Sequence, residues 1–216
     1  MFKDRKDAGR QLAQRLMAFK ERHPLVLALP RGGVPVAFEV ATALQAPLDL
    51  IMVRKIGAPW NPELAIGAVV DGVTPRTYLN QEMIRSLGIP DHYVDAQKAR
   101  ELAEIERRRR FYRRGWPPLD PHGRTVIVID DGVATGATMR IALRAVGEAG
   151  AAARIMAVPV APRDTLADLR GDYDTAVCLE APEDFSALSL FYDDFDQTSD
   201  EEVVRLLDAA RQEGAS

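Results

Sequence analysis

The chain has 216 residues, 47% of them hydrophobic, enough for one substantial core or a core with a small appended lobe. Charged residues make up 28%, yet the net charge is only −4, which weighs against a globally basic nucleic-acid binder. No apolar run reaches membrane-spanning length, the opening MFKDRKDAGRQL lacks a signal-peptide pattern, and the single Cys178 cannot close an internal disulfide, so a cytoplasmic protein is expected.

Residues 4–22 read as an amphipathic helix with Leu12, Leu16 and Phe19 on one face. LVLALP, residues 25–30, is a short unbroken apolar run that suits a strand buried on both faces. RGGV follows, and residues 36–44 have a helical pattern. LDLIMVRK, residues 48–55, is expected as a second apolar strand ending in Arg54 and Lys55. Residues 56–80 are rich in Gly and Pro, and the runs AIGAVV and TYL flank an Asp-Gly turn, which predicts a hairpin. Residues 91–114 form a long helical segment closed by Gly115 and the Pro117–Pro118 pair.

From Arg124 the rhythm is regular. TVIVID, ARIMAVPV and DTAVCLE read as strands, and MRIALRAVGEAG, RDTLADLRG and DEEVVRLLDAARQ as the helices that follow them. This alternation predicts an α/β fold, a parallel twisted sheet of about five strands flanked by helices. Residues 1–216 are expected to form a single domain, with a flexible loop and hairpin inserted over 56–90 and a capping segment over 180–216. Ligand sites in such sheets gather at the carboxyl ends of strands. Three junctions qualify: Pro30-Arg31-Gly32-Gly33, Arg54-Lys55, and Asp130-Asp131 with the loop after it.

In VIVIDDGVATGATM, residues 126–139, an apolar strand ends in two acids and a loop of small and hydroxyl residues then opens a helix. Helix-start amides lack internal partners and the helix dipole favours an anion there, although Thr and Gly at such a turn also serve as plain caps. Adjacent carboxylates repel unless hydroxyl donors or a cation compensate. The chain has no GxxxxGK[ST] sequence, so a P-loop enzyme is unsupported, and the acids come too late in the chain for a receiver-type pocket.

This stretch resembles the phosphoribosyl-diphosphate motif of type I phosphoribosyltransferases: four apolar residues, two acids, then a loop ending Thr-Gly-x-Thr. The resemblance implies that Asp130 and Asp131 hold the ribose 2′ and 3′ hydroxyls with help from magnesium, bound directly or through water. It implies that Val133, Ala134, Thr135, Gly136, Ala137 and Thr138 cradle the 5′-phosphate. Arg31, Gly32 and Gly33 resemble the family's diphosphate loop, often built with a non-proline cis peptide, which is expected at Arg31–Gly32. Arg54 and Lys55 resemble its cation pair, beside a lid over residues 56–63 hinged near Gly57. Asp130, Asp131, Arg31 and Lys55 are the implied catalytic group. The fold so implied adds a small hood, here residues 180–216, to the sheet. The whole chain also looks like a less characterised branch of the family, whose members carry the family name without an assigned acceptor.

The implied reaction moves a 5-phosphoribosyl group from phosphoribosyl diphosphate to a nitrogenous base, in the manner of nucleotide salvage, with magnesium as cofactor and homodimers allowed. A regulatory protein of the same fold that senses phosphoribosyl diphosphate or a nucleotide is the alternative. Ala134 stands where the 6-oxopurine enzymes of the family carry an Asp. Phe185, Phe191, Tyr192 and Phe195 either stack on a base or seal a core edge. The run RRRRFYRRG, residues 107–115, reads as a salt-laced helix face through Glu104–Arg108 and Glu106–Arg110, not as a nucleic-acid patch. His23, His92 and His122 have no metal-ligand spacing.

Overall fold

A computed structural model describes residues 1–214. In chain order the elements are α1 (Arg5–Leu16), β1 (Leu25–Ala28), α2 (Gly33–Leu44), β2 (Leu48–Leu50), β3 (Val53–Ala58), β4 (Asn61–Val70), β5 (Arg76–Leu79), α3 (Gln81–Ser86) and α4 (Asp91–Arg113). There follow β6 (Thr125–Ile129), α5 (Ala137–Glu148), β7 (Ala153–Val160), α6 (Arg163–Asp168), β8 (Thr175–Glu180) and α7 (Asp200–Gly214). The chain divides into two compact units, Met1–Ile51 with Asp120–Ser216, and Met52–Leu119. The inserted part is therefore longer than the 56–90 segment expected from sequence. It takes in the whole of α4, because Val94 and Ile105 of that helix share a core with Ile56, Ile66, Val69, Ile84 and Ile89.

The first unit is built on a five-stranded parallel sheet in the order β2-β1-β6-β7-β8. Apart from Thr125 and Arg154 near their amino ends, its three central strands are apolar because both faces are covered: Leu25, Val26, Ile127, Val128, Met156 and Val158 are all buried. Helices α2 and α5 pack on the central strands, and α1 lies against α2, β7 and β8. The α1 helix starts at the side-chain cap of Asp4, whose Oδ1 accepts the Asp7 amide at 2.7 Å. It is shorter than the 4–22 span expected, since residues Met17–Arg22 tighten into a 3-10 helix.

The second unit is a three-stranded antiparallel sheet, β3-β4-β5, with α3 and α4. The hairpin expected around Asp71-Gly72 is the β4–β5 pair, with Val70 opposite Arg76. One expectation fails at this point. Residues 48–55 are not one strand: β2 ends at Leu50 and β3 begins at Val53 in the other sheet. Residues 50–53, Leu-Ile-Met-Val, are apolar across the change of sheet, so hydrophobicity carries no trace of the break. Residues 56–63 are likewise no open loop. They run from β3 into β4 as a hairpin, with Ala58 opposite Asn61, and a Cβ on Gly57 would stand 2.7 Å from the Pro62 Cα. Gly57 thus allows a close approach to Pro62.

Candidate functional site

Strand β6 delivers Asp130 and Asp131 to its carboxyl end, and the chain then turns directly into α5. Val133 is buried and its amide donates to the Val160 carbonyl at 2.9 Å, so this residue, expected in the anion loop, anchors the loop to β7 instead. Ala134 and Thr135 are exposed, and Ala137 and Thr138 are half-buried. Gly136 is the N-terminal flanking residue of α5, with φ of 76° and no side-chain cap. A left-handed residue here requires glycine, and a Cβ would also press on Thr165 and Leu169 of the α6 region at 3.1 Å. The first amides of α5 are therefore not covered by a capping side chain, which suits an anion. Thr165 Oγ1 donates to the Ala134 carbonyl at 2.7 Å and holds the loop from behind.

The loop after β1 lies against the two acids. The non-proline cis peptide is at Pro30–Arg31, one bond before the place expected. A Cβ on Gly32 would stand 2.0 Å from Asp131 Oδ2, and one on Gly33 would stand 2.9 Å from the Asp130 Cα. Both glycines are thus explained by direct packing of the Arg31-Gly32-Gly33 turn on the acidic pair. The Gly33 amide donates to the Leu29 carbonyl at 3.1 Å and the Val34 amide to the Arg31 carbonyl at 3.1 Å, as α2 begins. Arg31 is partly exposed and forms a long ion pair of 3.5 Å with Asp200 at the start of α7.

What compensates two adjacent carboxylates is a residue that no local pattern marks. Arg5 Nε donates to Asp131 Oδ2 at 2.7 Å, and both side chains are only 12% exposed. Arg5 Nη1 donates to the Asp196 carbonyl at 2.7 Å, and its guanidinium carbon lies 3.9 Å from the centre of the Phe195 ring. The Tyr192 hydroxyl donates to the Asp131 carbonyl oxygen. Asp130 Oδ1 accepts the Asp131 amide at 2.9 Å. Burial, then the Asp131 charge, pushes the Asp130 carboxyl well above its ordinary range, with Arg5 pulling the other way. Burial and the same charge push the Tyr192 phenol up as well, so Tyr192 stays a donor.

These aromatics bear on one alternative. Phe2 and Tyr192 are buried in one cluster, with Phe185, Leu188, Phe191 and Phe195 packed on it. The segment over 185–195 packs on a core edge beside Asp131, with Phe185, Phe191 and Phe195 half-buried. Arg54 and Lys55 belong to β3, in the second unit, and not to the end of a parallel strand. Arg54 Nε is ion-paired with the buried Glu101 of α4 at 2.8 Å, and Lys55 is exposed. The Arg107–Glu104, Arg108–Glu104 and Arg110–Glu106 pairs bear out the salt-laced reading of α4.

The donor set also bears on magnesium. Asp131 Oδ2 is taken by a guanidinium, and among the described residues no group of three or more His, Cys, Asp or Glu is assembled that could hold a metal ion. Asp131 Oδ2 is therefore not open to a magnesium ion, and Asp131 Oδ1 and the Asp130 carboxylate are the remaining oxygens of the pair. No helix is long and apolar enough to cross a membrane among the described residues.

A family model described as "Phosphoribosyl transferase domain" matches residues 77–196. Two Mycobacterium tuberculosis proteins, "Putative phosphoribosyl transferase MT0597" and "Putative phosphoribosyl transferase Rv0571c", are each 46% identical over 216 residues, which is 100% of this chain and 48% of theirs. The chain thus spans about half the length of these curated relatives. The crystal structure of TT1426 from Thermus thermophilus shares 41% sequence identity at a TM-score of 0.82, covering 96% of this chain and 97% of that one.

Proposed function

The chain belongs to the phosphoribosyl transferase domain family, and from that premise we propose that it transfers the 5-phosphoribosyl group of phosphoribosyl diphosphate to a small nitrogenous base. The C1–oxygen bond to diphosphate breaks with its electron pair leaving on diphosphate, a C1–nitrogen bond forms from the base's lone pair, and the base's N–H proton is released to the departing diphosphate or to water. The observation that carries this reading is the end of β6, where a carboxylate pair and an uncapped helix start lie within one turn of chain, with the Arg31 loop packed on the acids.

That arrangement matches one ligand with two chemistries. The amides at the start of α5, with the Thr135 and Thr138 hydroxyls, hold a terminal phosphate. Asp130 and Asp131 accept hydrogen bonds from vicinal hydroxyls. The Arg31 side chain, with the Arg31 and Gly32 amides of its turn, holds the diphosphate and stabilises the charge that grows on it as the bond breaks. Catalysis is then largely positioning and charge stabilisation around an oxocarbenium-like sugar. Magnesium belongs in this reading as the counter-ion a diphosphate carries in solution, not as an ion resident on the two acids. Nucleotide salvage is the setting such a reaction serves.

Calorimetry with magnesium phosphoribosyl diphosphate, followed by a panel of purine and pyrimidine bases assayed for diphosphate release, tests the proposal. We expect binding by the wild-type chain, at least a tenfold loss in Asp131→Asn from one charge-assisted hydrogen-bond acceptor (about 1.5–3 kcal/mol), and release with one class of base. Failure of the wild type to bind would end it.

A further inference from the structure

Two adjacent acids pose the question of what cation stands against them, and in this chain the structure supplies one covalently. We propose that Arg5 is the resident cation of the sugar-hydroxyl end of the site, a positioning residue that fixes the Asp131 carboxylate so that a ribose is held there without a metal ion. The proposal rests on reading Asp131 as an acceptor for sugar hydroxyls.

Three constraints hold the Arg5 guanidinium: Asp131 Oδ2 on Nε, the Asp196 carbonyl on Nη1, and the Phe195 ring against its carbon. A side chain so enclosed is a fixed part of the site and not a surface cation that happens to lie near. The Asp131 main chain is fixed separately, through the Tyr192 hydroxyl on its carbonyl oxygen. On the opposite side the missing Cβ of Gly32 leaves room for Oδ2. Oδ2 is therefore committed to Arg5, and the proposal gives Oδ1 the sugar hydroxyl. A divalent ion on Oδ2 would have to compete with a guanidinium already at 2.7 Å, in a pair that is largely out of solvent. Arg5 sits just inside α1, immediately after the Asp4 cap, so the N-terminal helix is what carries this cation to the acidic pair.

Ribose 5-phosphate is the diagnostic ligand, because it lacks the diphosphate that brings its own magnesium. We expect wild-type protein to bind it equally, within about twofold, in magnesium and in EDTA. Arg5→Met should bind at least tenfold more weakly in EDTA, with part of the loss restored by millimolar magnesium at the uncompensated pair. Arg5→Lys, which keeps the charge but not the forked geometry, should fall between. Since Arg5 is enclosed, thermal denaturation is measured for each variant, and Phe195→Leu provides a milder probe that keeps the ion pair but frees the guanidinium plane. It should weaken binding by a few-fold with the same indifference to EDTA.

Loss of wild-type ribose 5-phosphate binding in EDTA would overturn the proposal and put a metal on the acids. Unchanged binding in folded Arg5→Met would overturn it too, and tighter binding would show that Arg5 occupies the sugar's own place. In each of these cases magnesium phosphoribosyl diphosphate still binds the wild type. If it does not, the functional reading itself has failed, and this inference with it.

Discussion

Each unit of the molecule holds an arginine on a buried aspartate, and the two pairs differ in what surrounds them. In the second unit Arg113 Nη1 meets Asp71 Oδ2 at 2.6 Å, with side-chain exposures of 2% and 0%, and Arg109 Nε stands 3.4 Å from Asp71 Oδ1, an ion pair without hydrogen-bond geometry. That pair ties the C-terminal turn of α4 to the β4–β5 turn. In the first unit Arg5 meets Asp131 beside an uncapped helix start and a glycine turn. Burial of a charge pair thus says little about function by itself. What separates a latch from a site is whether a ligand-accepting feature, here the uncapped start of α5, adjoins it.

The largest expected effect breaks the latch. Burial pushes the Asp71 carboxyl above its ordinary value although Arg113 and Arg109 pull it down, so the pair is worth little against an apolar replacement. Removing one partner is different, because it leaves the other charge buried. Asp71→Asn should cost about 3–5 kcal/mol in urea unfolding, and the double replacement Asp71→Leu with Arg113→Met should recover most of it. Phosphoribosyl diphosphate binding by the folded fraction should be unchanged in both. A binding loss in the stable double variant would erase the distinction between the two pairs.

Gly32→Ala tests the other side. Its Cβ would fall 2.0 Å from Asp131 Oδ2, so either the carboxylate or the turn must move. We expect about 1–3 kcal/mol of destabilisation from overpacking, together with a loss of ligand binding of more than tenfold. A variant that is destabilised yet binds normally would show that the turn packs on the acids without belonging to the site.

The same contrast explains what was legible in the sequence. The strand-end acids and the loop at residues 126–139 could be read because their chemistry is contiguous: one strand end, one turn, one helix start. The parallel sheet could be read because its central strands are almost entirely apolar. Arg5 could not, since it lies 126 residues from Asp131 and presents itself only as one of several cations on an amphipathic helix. Thr165 was equally silent, as its hydroxyl acts on a carbonyl 31 residues away. Tyr192 and Phe195 were noticed for their rings, but what they do in the structure follows from the partners that tertiary packing brings: a carbonyl for one, a guanidinium for the other. Arg54 and Lys55 misled for the converse reason. An apolar run hides the change of sheet before them, and Arg54 has its counter-charge in Glu101 on α4.

The smallest expected effect concerns a pair that is neither latch nor site. Glu104 accepts from Arg107 Nε at 2.8 Å and from Arg108 Nε at 2.7 Å on the solvent side of α4, and these bonds hold its carboxyl down at about 2. The folded value lies below the ordinary 4.5, so the stabilisation is complete above that pH and is lost as pH falls from there towards 2. Solvent screening limits it to below about 1 kcal/mol for partly exposed side chains. Glu104→Gln should therefore lower stability by a few tenths of a kcal/mol (about one i,i+4 pair) at pH 7, less in 1 M salt, with the gap from wild type closing near pH 2. Denaturant midpoints measured across that range check it. A cost comparable to that of Asp71→Asn would mean that the exposed arginine ladder of α4 carries weight of its own, and that partner geometry outweighs burial in this helix.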